Sequence, residues 1–214
     1  MSTVPSNPGS VNYAAVPDVL DRAILFATDA HSGQVRKMAN IPYILHPLEV
    51  AAIIGTVTDD KETMAAGLLH DTIEDCDTDP ALIRELFGPK VSALVQSETE
   101  DRLSPKSPAE TWQDRKEESL LMLRYTKNRD VKILWLGDKL SNVRSFYREY
   151  QKRGNRVWEG LNQKDPAKQA WYYRTIAEYL SELSETSAYC EYCELVEKLF
   201  QNVEKENENE CSKL

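Results

Sequence analysis

Three histidines occur in the chain, at positions 31, 46 and 70, and Asp71 follows the third directly. Neutral imidazole is the commonest transition-metal ligand, so histidines confined to the first third of a chain invite a search for the rest of a coordination shell. Adjacent side chains on a helix diverge by about 100°. His70 and Asp71 can therefore share an ion only off the helix shoulder, with other elements closing the shell. His46, at a helix start beside Pro47, is one partner; Asp138, inside the apolar run DVKILWLGDKLSNVRSF, is the other. A carboxylate in such a run is costly to bury without a counter-charge. Two imidazoles and two carboxylates without a thiolate form a mixed N/O set that favours Mn²⁺ over Fe²⁺ or Zn²⁺. Taken alone, the His-Asp dipeptide also reads as a chance pair in which Asp71 helps cap a neighbouring helix.

Four stretches extend the pattern: His31-Ser-Gly-Gln-Val-Arg-Lys37, Pro42-Tyr-Ile-Leu-His-Pro47, Leu68-Leu-His-Asp-Thr-Ile-Glu-Asp75 and Gly137-Asp-Lys-Leu-Ser-Asn-Val-Arg144. In this order and separation they resemble the hydrolase module of the RelA/SpoT homologues and, by length, a stand-alone small alarmone hydrolase. The resemblance runs from about Leu20 to Tyr150 and more faintly to about residue 183. It implies an all-α, HD-superfamily, manganese-dependent enzyme that removes pyrophosphate from the ribose 3′ position of (p)ppGpp.

Residue by residue, the resemblance implies His46, His70, Asp71 and Asp138 as metal ligands, with Mn²⁺ as cofactor. His31 is then a hydrogen-bonded histidine holding the loop after it. Glu74 and Asp75, each four residues beyond a ligand, are implied in hydrolysis, where a carboxylate orients or deprotonates the attacking water. Their plainer reading is a solvated acidic helix end. Arg36 and Lys37 match a pair that contacts the nucleotide, Arg through a planar fork or stacking face and Lys through a point charge; an ordinary solvated loop is the alternative. Asn142 matches an asparagine at the ribose-phosphate. Arg115 and Lys116 resemble a basic pair in the helix after the long loop, and Lys168 and Tyr172 match a basic residue and a tyrosine set against the nucleotide. Trp171-Tyr172-Tyr173 reads equally as core aromatic packing. The chain departs from the family at Val95-Gln-Ser-Glu-Thr-Glu, where a valine-threonine-lysine segment is usual, at Ser141, and at Met38-Ala39-Asn40, which replaces a serine-glycine bend.

The implied activity is 3′-pyrophosphohydrolysis of guanosine (p)ppGpp to GDP or GTP, with (p)ppApp as a further substrate. The same metal site could instead serve a NADPH 2′-phosphatase, or sit in a catalytically silent nucleotide-binding module. Retention of every ligand and of the acidic pair argues against silence. Too little chain follows residue 150 for a synthetase module, so the expectation is degradation of alarmone without its synthesis.

These groups need a scaffold. A length of 214 residues with 41% hydrophobic and 29% charged residues fits one globular domain and excludes collagen-like or wholly disordered chains. The longest apolar stretches, residues 50–54 and 64–69, fall far short of the roughly 20 residues that span a bilayer. The N-terminal MSTVPSNPGSVNY has neither a basic nor an apolar signal region, so the expected location is cytoplasmic, without a membrane partner. With 26 basic against 35 acidic residues the formal charge is −9, which disfavours nucleic acid as a partner and leaves a small-molecule nucleotide held by a local basic pocket or metal. Cys76, Cys190, Cys193 and Cys211 form no disulfide framework, and Cys190-x-x-Cys193 lacks a second ligand pair.

Periodicity predicts helices almost throughout. The first runs from Asp18 beyond Ala30, with Leu20, Ala23, Ile24 and Ala27 as its apolar stripe. Pro47 suits the first turn of the second. Asp59 and Glu62 read as a capping box opening one helix, KETMAAGLLHDTIED. Asp79-Pro80 starts the next, with Gly88 at its C′ position and a short helix from Lys90. A long loop over 97–110 precedes helices near 110–125, 131–150, 167–184 and 187–205. The expected division is a flexible segment over residues 1–16, one HD-type domain over 17–203 and a frayed polar tail over 204–214.

Overall fold

Side-chain oxygens open most of the helices. Asp18 accepts from the Leu20 amide at 2.9 Å and starts α1 (Val19–Ala30). Asp79 accepts from Ala81 at 2.8 Å, with Pro80 in the first turn, and starts α5 (Pro80–Glu98). Asn128 caps α7 (Arg129–Arg153), Asp165 caps α8 (Pro166–Tyr179) and Thr186 caps α9 (Ser187–Phe200). Each satisfies amides that a helix start otherwise leaves unpaired. α2 (Leu45–Ile54) and α6 (Trp112–Tyr125) start without a side-chain cap. The computed structural model describes residues 12–36, 40–99 and 107–201, and among these the fold is all-α with no strand, only an isolated antiparallel bridge between Val35 and Pro42. Lys37, the tail over 204–214, most of the 1–16 segment and residues 100–106 of the long loop lie outside the described residues.

Two expectations require correction. The cap of α3 (Lys61–Leu69) is Asp60, not Asp59. The Asp60 backbone is extended, and its carboxylate accepts from the Thr63 amide at 3.1 Å, the Thr63 hydroxyl at 2.5 Å and the Lys90 ammonium at 2.6 Å. Nor does KETMAAGLLHDTIED form one helix: α3 ends at Leu69 and α4 (Thr72–Cys76) begins anew. Side chains take over carbonyls that helix amides would use. His70 Nδ1 donates to the Gly67 carbonyl at 2.8 Å and the Thr72 hydroxyl donates to Leu69 at 2.7 Å. Such local bonds compete with the helical ladder. His70 and Asp71 are the two residues that lie between these helices. At Gly88 the expectation holds: φ is +88°, Pro89 follows, and α5 is two helical runs across a kink.

The chain divides into two compact units, one comprising residues up to Thr99 with Ile133–Asp138 of α7, the other the remainder. In the first, α3 packs against α1, α2 and α5. Its core includes Phe26, Val50, Ile54, Leu68, Leu69, Ile83 and Leu134, with the Phe26 and Phe87 rings 5.5 Å apart. Two glycines let helices approach closely here. A Cβ on Gly67 would stand 2.5 Å from Ile54 Cδ1, and one on Gly137 would stand 2.9 Å from Ile54 Cγ1. In the second unit an aromatic group forms the core: Phe146 meets Trp158 edge-on at 5.0 Å, and Phe200 stacks on Trp158 at 5.6 Å and on Tyr173 at 5.9 Å.

Because Ile54 is fully buried, Gly67→Ala is expected to overpack the α2–α3 contact and destabilise the protein by about 1–3 kcal/mol. Ile54→Val alone costs about 0.5–1.5 kcal/mol. The double variant removes the Ile54 methyl that the added Cβ would strike, so its loss in urea unfolding is expected to be smaller than the sum of the two. Additive losses would show that the contact is relieved elsewhere.

Candidate metal centre

Four donor atoms converge from three parts of the first unit. His46 is the second residue of α2 and 3% exposed; His70 lies just beyond α3 and is 3% exposed; Asp71 precedes α4; Asp138 lies in α7 and is 4% exposed. His46 Nε2 lies 3.1 Å from Asp138 Oδ1 and 3.7 Å from Asp71 Oδ2. His70 Nε2 lies 2.9 Å from Asp71 Oδ2 and 3.6 Å from Asp138 Oδ1. Donors about 2.1 Å from a shared ion stand about 3.0–3.4 Å apart at octahedral or tetrahedral angles. Among the described residues, His46, His70 and Asp138 meet the geometric requirement for a metal-holding group even without Asp71. Asp71 makes no capping bond to α4, so its carboxylate serves this cluster rather than the helix start.

The protonation of the cluster points the same way. His70 Nδ1 faces a carbonyl, which can only accept, so in the neutral ring Nε2 carries the lone pair. That atom is buried without a hydrogen-bond partner and looks onto two carboxylates. Acceptors set face to face repel unless positive charge lies among them. Burial drives the His70 imidazole toward neutrality, but the charges of Asp71 and Asp138 outweigh it and hold its pKa well above the ordinary value. Burial in turn dominates at His46, lowering its pKa despite the bond to Asp138. Asp71 is held below the ordinary carboxylate range by the two imidazoles, which overcome its own desolvation. A His46 kept neutral by burial, an ionised Asp71 and a buried His70 Nε2 without a hydrogen-bond partner together fit a divalent cation.

Other residues expected from the sequence belong to the same unit. Glu74 is half-buried on α4 and Asp75 is exposed there, the Asp75 amide bonding back to the Asp71 carbonyl at 2.8 Å. Arg36 holds its guanidinium 5.9 Å from the centroid of the Tyr43 ring. Its place is set by backbone bonds from Arg36 to the Ile41 carbonyl and from Tyr43 to the Gln34 carbonyl, both at 2.9 Å. His31 is not among the converging donors: it ends α1 with Nδ1 2.9 Å from Gln34 Oε1, and Gln34 donates to the Asp75 carbonyl at 3.0 Å. That is the loop-holding role read for His31.

Asn142 is half-buried on α7, one turn beyond Asp138. Arg115 on α6 bonds the Thr111 hydroxyl and the Pro108 carbonyl. Lys116 holds its ammonium 5.0 Å over the Tyr172 ring, and Tyr172 is buried against Trp112. Lys168 is exposed and lines a cleft of about 410 Å³ with Gln113, Glu117 and Trp171. These residues belong to the second unit, where the structure joins Lys116 to Tyr172.

Tyr43 was assigned no role from the sequence. Its hydroxyl donates to Asp71 Oδ2 at 2.5 Å and reaches Asp75 Oδ2 at 3.3 Å. Burial, and then the Asp71 charge, raise the phenol's pKa strongly, so it stays a donor. The only signal in the sequence was an aromatic residue three positions before His46.

Comparison with known proteins adds to this geometry. A family model described as an HD domain matches residues 23–166. The guanosine-3′,5′-bis(diphosphate) 3′-pyrophosphohydrolase of Aquifex aeolicus is 37% identical over 138 residues, covering 64% of this chain and 19% of that protein. A GTP pyrophosphokinase of Myxococcus xanthus is 32% identical over 131 residues, covering 60% of this chain and 17% of that protein. The chain thus spans less than a fifth of the length of either relative. The crystal structure of lmo0812 from Listeria monocytogenes EGD-e superposes with a TM-score of 0.64 at 31% identity, covering 73% of this chain and 99% of that one. A metazoan SpoT orthologue that hydrolyses ppGpp shares the fold, with a TM-score of 0.67 at 22% identity, over 92% of this chain and 98% of its own.

Proposed function

The chain belongs to the HD-domain family, and on that premise we propose that it is a 3′-pyrophosphohydrolase of guanosine (p)ppGpp, using Mn²⁺ and releasing pyrophosphate with GDP or GTP. The observation that carries this reading is the convergence of His46, His70, Asp71 and Asp138, with a buried His70 Nε2 that no hydrogen bond satisfies. The activity for which the Aquifex relative is named supports the same substrate class. Among the described residues no helix is long and apolar enough to cross a membrane, and a cytoplasmic location belongs to this reading.

In this reaction His46, His70, Asp71 and Asp138 hold the ion. When bound, it supplies Lewis-acid charge to the phosphoryl group and acidifies the attacking water. Glu74 accepts the proton of the water that adds to the phosphorus on ribose O3′. The P–O3′ bond breaks, pyrophosphate leaves, and Asp75 relays to O3′ the proton that Glu74 took from the water. Arg36, resting on the Tyr43 ring, and Lys37 bring positive charge to an otherwise acidic protein. Asn142, Arg115, Lys116, Lys168 and Tyr172 enter the reading as substrate-binding residues through the family pattern alone.

Incubation with Mn²⁺ and ppGpp, pppGpp, pppApp or NADPH, resolving pyrophosphate from monophosphate, tests the proposal. The expected result is pyrophosphate and GDP from ppGpp. Monophosphate from NADPH without pyrophosphate from the alarmones would replace it with a 2′-phosphatase. Metal binding without turnover of any of them would replace it with a silent nucleotide-binding module.

A further inference from the structure

Of the four donors at the metal centre, Asp71 has the least support from its own element. It sits where α3 has ended and α4 has not begun, and it makes no capping bond. Its side chain is 20% exposed, against 2% for His46 and His70 and 6% for Asp138. A carboxylate there can rotate away from the site unless something outside the helix holds it. Tyr43 supplies that hold, with its hydroxyl 2.5 Å from Asp71 Oδ2, the same oxygen that lies 2.9 Å from His70 Nε2. A carboxylate oxygen has two lone pairs, so a donor on one leaves the other directed at the imidazoles.

Tyr43 is itself firmly seated. Its ring centroid is 4.8 Å from that of His31 and 5.8 Å from that of His46, meeting the latter edge-on. Its amide donates to the Gln34 carbonyl at 2.9 Å, and Arg36 lies over its face. The hydroxyl also reaches Asp75 Oδ2 at 3.3 Å. One side chain thus touches a ligand carboxylate, a carboxylate of the acidic pair and the basic arm.

We infer that Tyr43 is a positioning residue that holds the Asp71 carboxylate for metal capture through its hydroxyl and seats Arg36 through its ring. Groups that orient metal ligands by hydrogen bonding typically govern metal affinity by about 10–100-fold. The inference rests on the metal-dependent reading of the site, yet its first test needs no substrate.

Tyr43→Phe keeps every ring contact and removes only the hydroxyl. In calorimetric titration of metal-free protein with Mn²⁺, the dissociation constant is expected to rise by about 10-fold or more. At saturating Mn²⁺, hydrolysis by Tyr43→Phe is expected to show a lowered kcat at near-normal KM. Tyr43→Ala, which also removes the seat of Arg36, is expected to raise KM in addition. Wild-type Mn²⁺ affinity in Tyr43→Phe would overturn the inference. So would a wild-type protein that binds no Mn²⁺, or an affinity loss matched by an equal loss of thermal stability in the metal-free variant. Failure of wild-type protein to hydrolyse ppGpp, with Mn²⁺ still bound and still weakened in Tyr43→Phe, would remove the alarmone reading and leave Tyr43 in place.

Discussion

Glu74→Gln is expected to leave Mn²⁺ and substrate binding near their normal values while lowering kcat by about 10²–10⁴-fold, the usual contribution of a positioned acid–base group. The amide keeps the size and most of the hydrogen-bonding capacity of the carboxylate, but it cannot take a proton from water. The place of Glu74 on the chain is set by the break between α3 and α4. α4 restarts at Thr72, which puts Glu74 in its first turn and half-buried, a few residues from both His70 and Asp71. Steady-state kinetics with ppGpp at saturating Mn²⁺, beside a metal titration, separates the outcomes. A raised KM with unchanged kcat would make Glu74 a binding residue, and the proton would need another acceptor.

Asp71→Ala is expected to remove metal and activity together, with a rate loss of at least about 10²-fold, on the order of 3 kcal/mol in the barrier. Its Oδ2 lies within 3.7 Å of both imidazole nitrogens, so truncation takes away a charge and a donor at once. His70 Nε2 is then left facing Asp138 alone at 3.6 Å. Metal content by mass spectrometry after gel filtration, read beside turnover, decides the matter. Full Mn²⁺ occupancy with near-normal turnover would take Asp71 out of the ligand set. Because Tyr43→Phe leaves the carboxylate present and only loosens it, its effect should be the smaller of the two.

Composition, charge pattern and periodicity sufficed for the all-α class, because amphipathic spacing and cap residues such as Asp18 and Asp79 act locally. That His46, His70, Asp71 and Asp138 belong to one cluster was legible from the family resemblance, with support from the residue types. Histidine is scarce in this chain, and a carboxylate in an apolar run, as at Asp138, is costly unless paired. What the sequence could not express is competition between bonds of similar strength. Asp59 and Asp60 are equivalent as cap residues on paper, and Lys90, thirty residues away, settles the choice by bonding Asp60. The break between Leu69 and Thr72 likewise depends on His70 and Thr72 side chains capturing carbonyls that helix amides would otherwise take. Gly67 and Gly137 look like weak helix residues until Ile54 is placed against both. Tyr43 looks like one more loop aromatic until the fold sets its hydroxyl on Asp71 and Asp75, residues 28 and 32 positions away. Local sequence determined which groups were available and which segments coil. Only tertiary packing decided which oxygen meets which nitrogen, because contacts across tens of residues depend on how whole helices seat together.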